Sequence, residues 1–244
     1  MLQNNLIKQC ICGNDTAFSF ENQHGIAVVK CNQCLIMHQH LTGWNEDRYF
    51  NFYKNEYHDH YMKIKGVDTY QDRYEHDCEV AKLRLAQYSC YIFPPSKGLD
   101  IGSSNSAFVH EANRLGFNVD GLEPGNNIGD DLVTIRGTLD TINLDRLQLD
   151  WVTMHDSVEH MIDVGRALSQ VNCILKDNGL LILDLPDFFV EEGLHHWKYI
   201  EHLWFFSKDQ IIDILNKRGF SLITYDQPIP GKLVFYCRKQ NAII

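Results

Sequence analysis

The most informative part of this sequence is the segment Leu99–Ser106, which reads LDIGSSNS. A short apolar run is followed by a tight turn of glycine and serine, and a helix is predicted to open at Ala107. A glycine turn between a strand and a helix lets a small ligand approach the backbone at the helix N-terminus. The segment therefore predicts a ligand site at the edge of a sheet whose strands alternate with helices along the chain.

Two acidic residues indicate the kind of ligand. Asp100 comes just before the turn, where it would repel a pyrophosphate but stabilise an ammonium group. Glu123 lies 21 residues after Gly102, at the end of the next predicted strand, where a carboxylate can accept both hydroxyls of a ribose. The dinucleotide pattern Gly-x-Gly-x-x-Gly is not met, because Ser104 and Ala107 stand where it requires glycine. The pattern favours a ligand with an amine, a ribose and a purine.

Strands and helices alternate in the pattern from Gly98 onward. This predicts an α/β fold with a Rossmann-like, doubly wound, mostly parallel sheet of seven strands. The last two strands are joined too closely for a crossover helix, so we expect an antiparallel last strand. The predicted strands are 99–102, 118–122, 132–135, 150–154, 180–185, 220–225 and 232–238, and the predicted helices are 72–91, 107–115, 164–175 and 207–218.

The N-terminal residues 1–43 have the cysteine pattern of a small zinc-ribbon-like module. The four cysteines are Cys10, Cys12, Cys31 and Cys34, and a predicted hairpin of strands 17–20 and 26–30 lies between the pairs. A piece this short buries too little apolar surface to fold alone, so a bound metal answers a physical need. Four thiolates would leave no open coordination position, which indicates a structural zinc.

Two alternatives to a four-cysteine zinc site remain open at this point. The first pair is Cys-x-Cys, which is tighter than the usual Cys-x-x-Cys, so His24, His38 or His40 could replace one sulfur. The other alternative is four reduced cysteines without metal.

Residues 44–96 separate this module from the alternating region, and residues 44–75 are rich in aromatic side chains with a poor helical period. One interpretation is a connector whose aromatics cover a domain junction. The other is a lid over a substrate site, with tyrosine hydroxyls as donors. Residues 97–244 are predicted to form the main domain.

Four segments together resemble successive motifs of class I S-adenosylmethionine (SAM) methyltransferases: 99–105, 121–124, 150–160 and 176–187. The resemblance extends over residues 70–240 and implies a SAM-dependent methyltransferase with S-adenosylhomocysteine (SAH) as product. In this family the amino group would be held by Asp100, the ribose by Glu123, and the adenine near Thr138 and Leu139. The implied cofactor-binding residues are Asp100, Gly102, Ser104, Asn105, Glu123, Pro124, Leu139 and His155, with Met154 beside them. The family has more glycine in its first turn than this chain has.

The segment Tyr199-x-Glu201-His202, ahead of Phe206-Ser207, is similar to a segment of zinc-ribbon-bearing sugar C-methyltransferases. That resemblance implies a base at His202, with Glu201 and Tyr199 as partners. His202 could instead anchor the loop. His160, in the pair Glu159-His160, is a further catalytic candidate or a structural residue of the cofactor wall.

The resemblance implies a small-molecule acceptor, namely a sugar nucleotide or a phosphorylated or phosphoramidate sugar precursor of surface polysaccharide such as capsule. The chain is shorter than the sugar C-methyltransferases, so O-methylation is as well supported as C-methylation. The alternatives are an O- or N-methyltransferase of an aromatic or quinone-like metabolite and a non-catalytic scaffold with the same fold.

Composition excludes some partners. The net charge of −10 argues against nucleic acid, which requires clustered lysine and arginine. No apolar run approaches the roughly 18 residues of a membrane span. The N-terminus lacks the features of a signal peptide, so we expect a cytoplasmic protein whose eight cysteines are thiols or metal ligands.

Overall fold

A seven-stranded sheet forms the centre of the computed structural model, which describes residues 5–57, 66, 70–126, 130–144 and 147–241. In chain order the elements are β1 (Phe18–Gln23), β2 (Ile26–Cys31), β3 (Met37–Gln39), α1 (Glu46–Asn55), α2 (Tyr70–Tyr88), β4 (Lys97–Ile101), α3 (Ala107–Arg114), β5 (Asn118–Glu123), β6 (Thr134–Arg136), β7 (Leu149–His155), α4 (Val164–Ile174), β8 (Leu175–Pro186), β9 (Trp204–Phe205), α5 (Lys208–Lys217), β10 (Phe220–Asp226) and β11 (Lys232–Lys239). Short 3-10 helices lie at Val158–His160 and Glu191–His196.

The strand order of the large sheet is β10-β11-β8-β7-β4-β5-β6. The pairs among β8, β7, β4, β5 and β6 are parallel, and β11 runs antiparallel to both β8 and β10. The predicted α/β class and the antiparallel last strand are thereby confirmed. The strand order reverses between β4 and β7, which places the turn after β4 at the switch point where open α/β sheets bind ligands.

Strand β8 lies inside the sheet, and the sequence shows why. Its residues 180–185 are almost entirely apolar and buried, as expected for a parallel strand covered on both faces. The strand begins at Leu175, five residues before the predicted start, because Leu175 pairs with Leu149 directly after α4 ends at Ile174.

A smaller sheet in the order β1-β2-β3-β9 lies beside the large one. Its first hairpin was expected from the sequence, since the predicted strands 17–20 and 26–30 overlap β1 and β2. The strands β3 and β9 were not predicted. They are three and two residues long, and they exist through their pairing, in which Met37 faces Phe205 and His38 faces Trp204.

Helix α1 corrects the expectation that residues 44–75 lack helical character. The Asn45 side chain caps this helix by accepting a hydrogen bond from the Arg48 amide, and Tyr49 and Phe52 are buried three residues apart. The aromatic content hid a short amphipathic helix. His58, His60 and Tyr61, which belong to the same predicted lid, lie outside the described residues.

Within the described part of the chain, no helix is both long enough and apolar enough to cross a bilayer.

Candidate functional site

The turn between β4 and α3 has a backbone that only small residues adopt easily. Gly102, Ser104 and Ser106 all have positive φ angles, of +81°, +48° and +64°. A β-carbon on Gly102 would lie 2.8 Å from the β-carbon of Ser157, which follows β7. Because residue 102 is glycine, only its backbone lies next to Ser157, and no side chain fills that space.

Asp100, at the end of β4, is surrounded by polar side chains. Its side chain is almost fully buried and accepts a hydrogen bond of 2.7 Å from the Thr153 hydroxyl. Nδ1 of His155 lies 3.0 Å from the same carboxylate oxygen, and the Tyr88 hydroxyl lies 3.0 Å from Nε2 of His155. Three polar side chains therefore fix the orientation of one carboxylate.

Glu123 joins the two loops that would surround a ligand. One carboxylate oxygen accepts from the Ser104 amide and the other from the Gly125 amide, each at 2.9 Å. Burial raises the pKa of this carboxyl group. A carboxylate has about four acceptor sites, so two remain for further donors such as hydroxyls.

The remaining residues of the implied cofactor site differ in exposure. Ser104 is exposed and Pro124 is half-buried, whereas Leu139 is buried in the main core. Asn105 is also buried, and its amide donates to Asp77 of α2 at 2.8 Å. Met154 is fully buried in the core as well, so its side chain supports the sheet.

The structure brings His160 and His202 together at the carboxyl end of the parallel strands. Their ring centroids are 4.7 Å apart. Nδ1 of His160 donates to the carbonyl of Glu201, and Nδ1 of His202 donates to the carbonyl of His196. Burial lowers the pKa of both imidazoles, which favours the neutral form of each ring.

The other two catalytic candidates lie differently. Tyr199 is 59% exposed. The Glu201 carboxylate is buried and pairs with Lys198 at 2.8 Å, while its backbone carbonyl is the part that contacts His160. The structure thus brings His202 and His160 into one cluster and leaves the Tyr199 side chain outside it.

Helix α1 covers the histidine pair. The Tyr49 hydroxyl donates to the carbonyl of His160, and the Tyr53 hydroxyl donates to the carbonyl of Glu201. The ring of Tyr53 stacks on that of Tyr57, with centroids 4.5 Å apart. The hydroxyls of Tyr49 and Tyr53 thus donate to backbone carbonyls of the main domain.

A network of four charges borders the same region. Arg84 of α2 binds Asp184 at 2.6 Å and lies 3.8 Å from Asp156. Lys232 of β11 binds Asp156 and lies 3.5 Å from Asp184. The two cations hold the pKa of Asp156 well below its usual range, against the opposing effect of burial.

Sequence reasoning did not single out Thr153, Arg84 or Lys232, and it placed Tyr53 only among the aromatic residues of the connector or lid. Thr153 had a usable signal, because it is the single hydroxyl in the buried run Trp151–Met154. The other three act through contacts between distant elements, for which local spacing gives no signal.

The four N-terminal cysteines converge as predicted. One sulfur from each lies within 4.8 Å of the others, with Cys10 3.4 Å from Cys34 and Cys12 3.6 Å from Cys31. The alternative ligand His38 is buried in β3 and directs Nδ1 toward the carbonyl of Gln39. The cluster has the donor set of a structural zinc site.

Comparison with known families identifies the main domain. The family model described as a methyltransferase domain matches residues 70–225, more than half of the chain. The chain belongs to this methyltransferase family. It is a SAM-dependent methyltransferase with the class I fold. A sequence search of curated proteins finds no match.

Solved structures agree with this methyltransferase fold. A chain of the Haloferax volcanii complex between the Trm112 methyltransferase activator and a methyltransferase is 15% identical, with a TM-score of 0.58 over 77% of this chain and 97% of that one. Magnesium protoporphyrin IX methyltransferase from Synechocystis PCC 6803, solved with SAH, is 13% identical, with a TM-score of 0.57 over 78% of this chain and 97% of that one. A SAM-dependent methyltransferase of Thermotoga maritima is 20% identical, with a TM-score of 0.52 over 70% and 97%.

The residues of this methyltransferase fit SAM. Gly102 leaves room where a side chain would collide with Ser157, and the Ser157 hydroxyl is buried with no hydrogen-bond partner among the described residues. The Asp100 carboxylate, held by Thr153 and His155, has the chemistry to pair with an amino group such as that of the methionine moiety. Glu123 retains acceptor capacity for the ribose diol.

Proposed function

We propose that this methyltransferase transfers a methyl group from SAM to a small sugar-type acceptor, either a sugar nucleotide or a phosphorylated or phosphoramidate sugar precursor of surface polysaccharide. The observation that carries the proposal is the position of the segment from Tyr199 to Ser207. This segment resembles the zinc-ribbon sugar methyltransferases, and through the pairing of β9 with β3 it joins the cysteine module to the carboxyl end of the sheet.

Gln39 supports this role for the segment. Its side-chain amide nitrogen donates to the carbonyls of Lys198 and His202, both at 2.6 Å, and its amide oxygen accepts from the Ile200 backbone at 3.0 Å. One buried side chain of the cysteine module therefore fixes the backbone on both sides of Glu201. The module would then serve to position the acceptor site.

The chemistry required is an in-line displacement. The acceptor oxygen bonds to the methyl carbon while the sulfur–methyl bond breaks, its electron pair returns to sulfur, and the acceptor proton passes to a base. With Nδ1–H donated to the carbonyl of His196, His202 has its lone pair on Nε2 and could accept that proton. His160 has the same arrangement, and Glu201 and Tyr199 complete the proposed catalytic set.

Asp100, Gly102, Ser104, Asn105, Glu123, Pro124, Leu139 and His155 are the residues that we propose to hold SAM. Cys10, Cys12, Cys31 and Cys34 are the proposed ligands of a structural zinc. The proposed units are residues 1–43, 44–96 and 97–244, although β9 of the third unit completes the sheet of the first.

A second candidate is an aromatic acceptor. The stacked rings of Tyr53 and Tyr57 and the edge contact of Tyr53 with His160, 5.8 Å between centroids, give a surface that suits a planar ring. Methylation of a phenol or quinone-like metabolite is the function that this surface would favour.

Calorimetric titration with SAH tests the cofactor site. Native protein should bind one equivalent, and Glu123→Ala should weaken binding at least tenfold, because it removes the acceptor for the ribose and unpairs two backbone amides. The exposed Glu79→Ala in α2 is the matched control and should bind like native. No binding by native protein would support the scaffold alternative.

An acceptor screen then separates the two enzymatic candidates. Native protein with SAM is incubated with sugar nucleotides, sugar phosphates and phenols, and SAH release is measured. Turnover with sugar compounds alone supports the main proposal, and turnover with phenols alone overturns it in favour of the aromatic acceptor.

A further inference from the structure

Glu159, His160 and His202 form a second cluster of metal-ligating side chains, separate from the four cysteines. One ligand atom from each residue lies within 4.8 Å of the others. Glu159 is completely buried and His202 almost so. The three come from two backbone segments, the 3-10 helix after β7 and the loop before β9, so the fold has brought them together.

The hydrogen bonds determine which atoms face each other. Because Nδ1 of His160 donates to the Glu201 carbonyl, its Nε2 must carry a lone pair, and the same holds for His202 with the His196 carbonyl. Nε2 of His160 lies 4.0 Å from a carboxylate oxygen of Glu159, which is too far for a hydrogen bond.

Glu159 makes this arrangement unusual. Neither of its carboxylate oxygens has a hydrogen-bond partner among the described residues, although both are buried. A buried carboxylate that accepts no hydrogen bond has lost its hydration without a replacement, which is unfavourable in free energy. The free energy is recovered if a cation lies between the carboxylate and the two imidazole lone pairs.

The outer contacts are those of metal-ligating histidines. Such residues donate their second ring nitrogen to a backbone carbonyl or a carboxylate, which fixes the tautomer and the ring orientation. Here both rings are held in this way, and the Tyr53 hydroxyl also lies at hydrogen-bond distance from Nδ1 of His160. The cluster therefore has ligand atoms that already face one another and outer contacts that hold both rings in place.

We propose that Glu159, His160 and His202 bind one divalent transition-metal ion, of the class of Zn²⁺, Fe²⁺ or Mn²⁺. Two imidazoles and one carboxylate suit these ions and leave coordination positions open, unlike a site of four cysteines. The inference rests on the geometry of the cluster and is independent of the acceptor class proposed above. A bound ion would occupy the lone pair of His202, so His202 would then be a ligand rather than the base.

The experiment adds Co²⁺ to the full-length protein, removes unbound ion by desalting, and counts all metals per chain by mass spectrometry. Native protein should retain one metal ion per chain more than Glu159→Gln and His202→Asn. Glu159→Gln keeps the shape of the side chain but removes its charge, and His195→Asn, a change in an exposed neighbouring histidine, is the matched control that should retain the native count.

Visible spectroscopy distinguishes the two sites. Co²⁺ at the nitrogen and oxygen cluster gives d–d bands without the near-ultraviolet thiolate charge-transfer band that a cysteine site produces. Circular dichroism confirms that each variant is folded. The proposal is overturned if native protein retains no more metal than Glu159→Gln, or if the extra Co²⁺ shows thiolate bands only.

Discussion

Gly102 shows how one residue without a side chain shapes the turn after β4, where we propose that the cofactor binds. Its φ angle of +81° disfavours any other residue, and a β-carbon there would meet Ser157 at 2.8 Å. Gly43 has nearly the same φ angle, +78°, but open space around it. Substitutions at Gly43 therefore measure the cost of the backbone conformation alone, whereas substitutions at Gly102 add the cost of a steric collision.

We predict that Gly102→Ala destabilises the protein by about 2–5 kcal/mol and weakens SAH binding at least tenfold. A positive φ angle costs roughly 1–2 kcal/mol and forced overpacking about 1–3 kcal/mol more. Gly43→Ala should cost only the first of these and leave SAH affinity unchanged. Chemical denaturation and calorimetry measure the two effects, and equal losses in both variants would contradict the argument.

His38 is a residue whose burial affects stability at low pH. It lies between the rings of Phe18 and Trp204, and burial lowers its pKa to about 4. The unfolded chain binds the proton near pH 6.5, whereas the folded chain binds it only near pH 4. Protonation therefore favours the unfolded state across this interval, and stability falls as the pH drops from 6.5 to 4.

We predict that His38→Leu removes this part of the pH dependence. Relative to native, the variant should gain roughly 3 kcal/mol of unfolding free energy between pH 6.5 and pH 4. Urea denaturation at several pH values measures it. The exposed His24→Leu should follow the native curve, and a variant curve parallel to native would show that His38 is not the group responsible.

At the scale of elements, β3 connects the cysteine module to the loop from Lys198 to His202, which carries the proposed catalytic residues. Strand β3 pairs with β9, and Gln39 at its end bonds three backbone groups between Lys198 and His202. These contacts explain why so short a strand persists. They also make the loop conformation depend on the module.

We predict that Gln39→Leu costs about 3–5 kcal/mol of stability, because it leaves buried donors and acceptors unpaired at roughly 1–3 kcal/mol each. Turnover should fall more than SAH affinity, since the proposed cofactor residues Asp100, Glu123 and His155 lie on β4, β5 and β7. Exposed Gln227→Leu, measured in the same denaturation and binding assays, should change stability by no more than about 0.5 kcal/mol. Native turnover in Gln39→Leu would contradict the proposal that the cysteine module positions the acceptor site.

Sequence and structure agree best for elements whose cause is local. The strands β4, β5 and β7 have apolar runs bounded by turn residues, and α5 has a capping box in which Ser207 and Gln210 bond each other's backbone. Helix α1 was missed because aromatic residues dominate its composition, and β9 because two residues form no pattern.

At the scale of the molecule, the network of Arg84, Asp184, Lys232 and Asp156 joins α2 to the centre of the sheet. Arg84 and Asp184 are largely buried, with side chains 23% and 6% exposed. The net free energy of forming a buried ion pair is close to zero, because desolvation offsets the attraction. Removal of one partner, however, leaves a buried charge without compensation.

We predict that Arg84→Met costs about 3–5 kcal/mol and that the double variant Arg84→Met with Asp184→Asn recovers part of this loss. The exposed pair Lys217–Asp213, with side chains 64% and 57% exposed, is the control, and Lys217→Met should leave the unfolding temperature close to the native value. A double-mutant cycle in thermal unfolding measures the coupling. Strict additivity of the two changes would contradict a shared network.

The sequence by itself determined the α/β class, the glycine turn with Asp100 and Glu123, and the four-cysteine cluster. These features depend on local periodicity and on residue types at fixed spacing, which the chain carries regardless of its folding. Only the tertiary structure determined three features. Helix α1 covers the histidine pair, Gln39 bonds the backbone between Lys198 and His202, and Glu159, His160 and His202 come together in one cluster. Such contacts join residues far apart in the chain, and their geometry is set by how the two sheets pack.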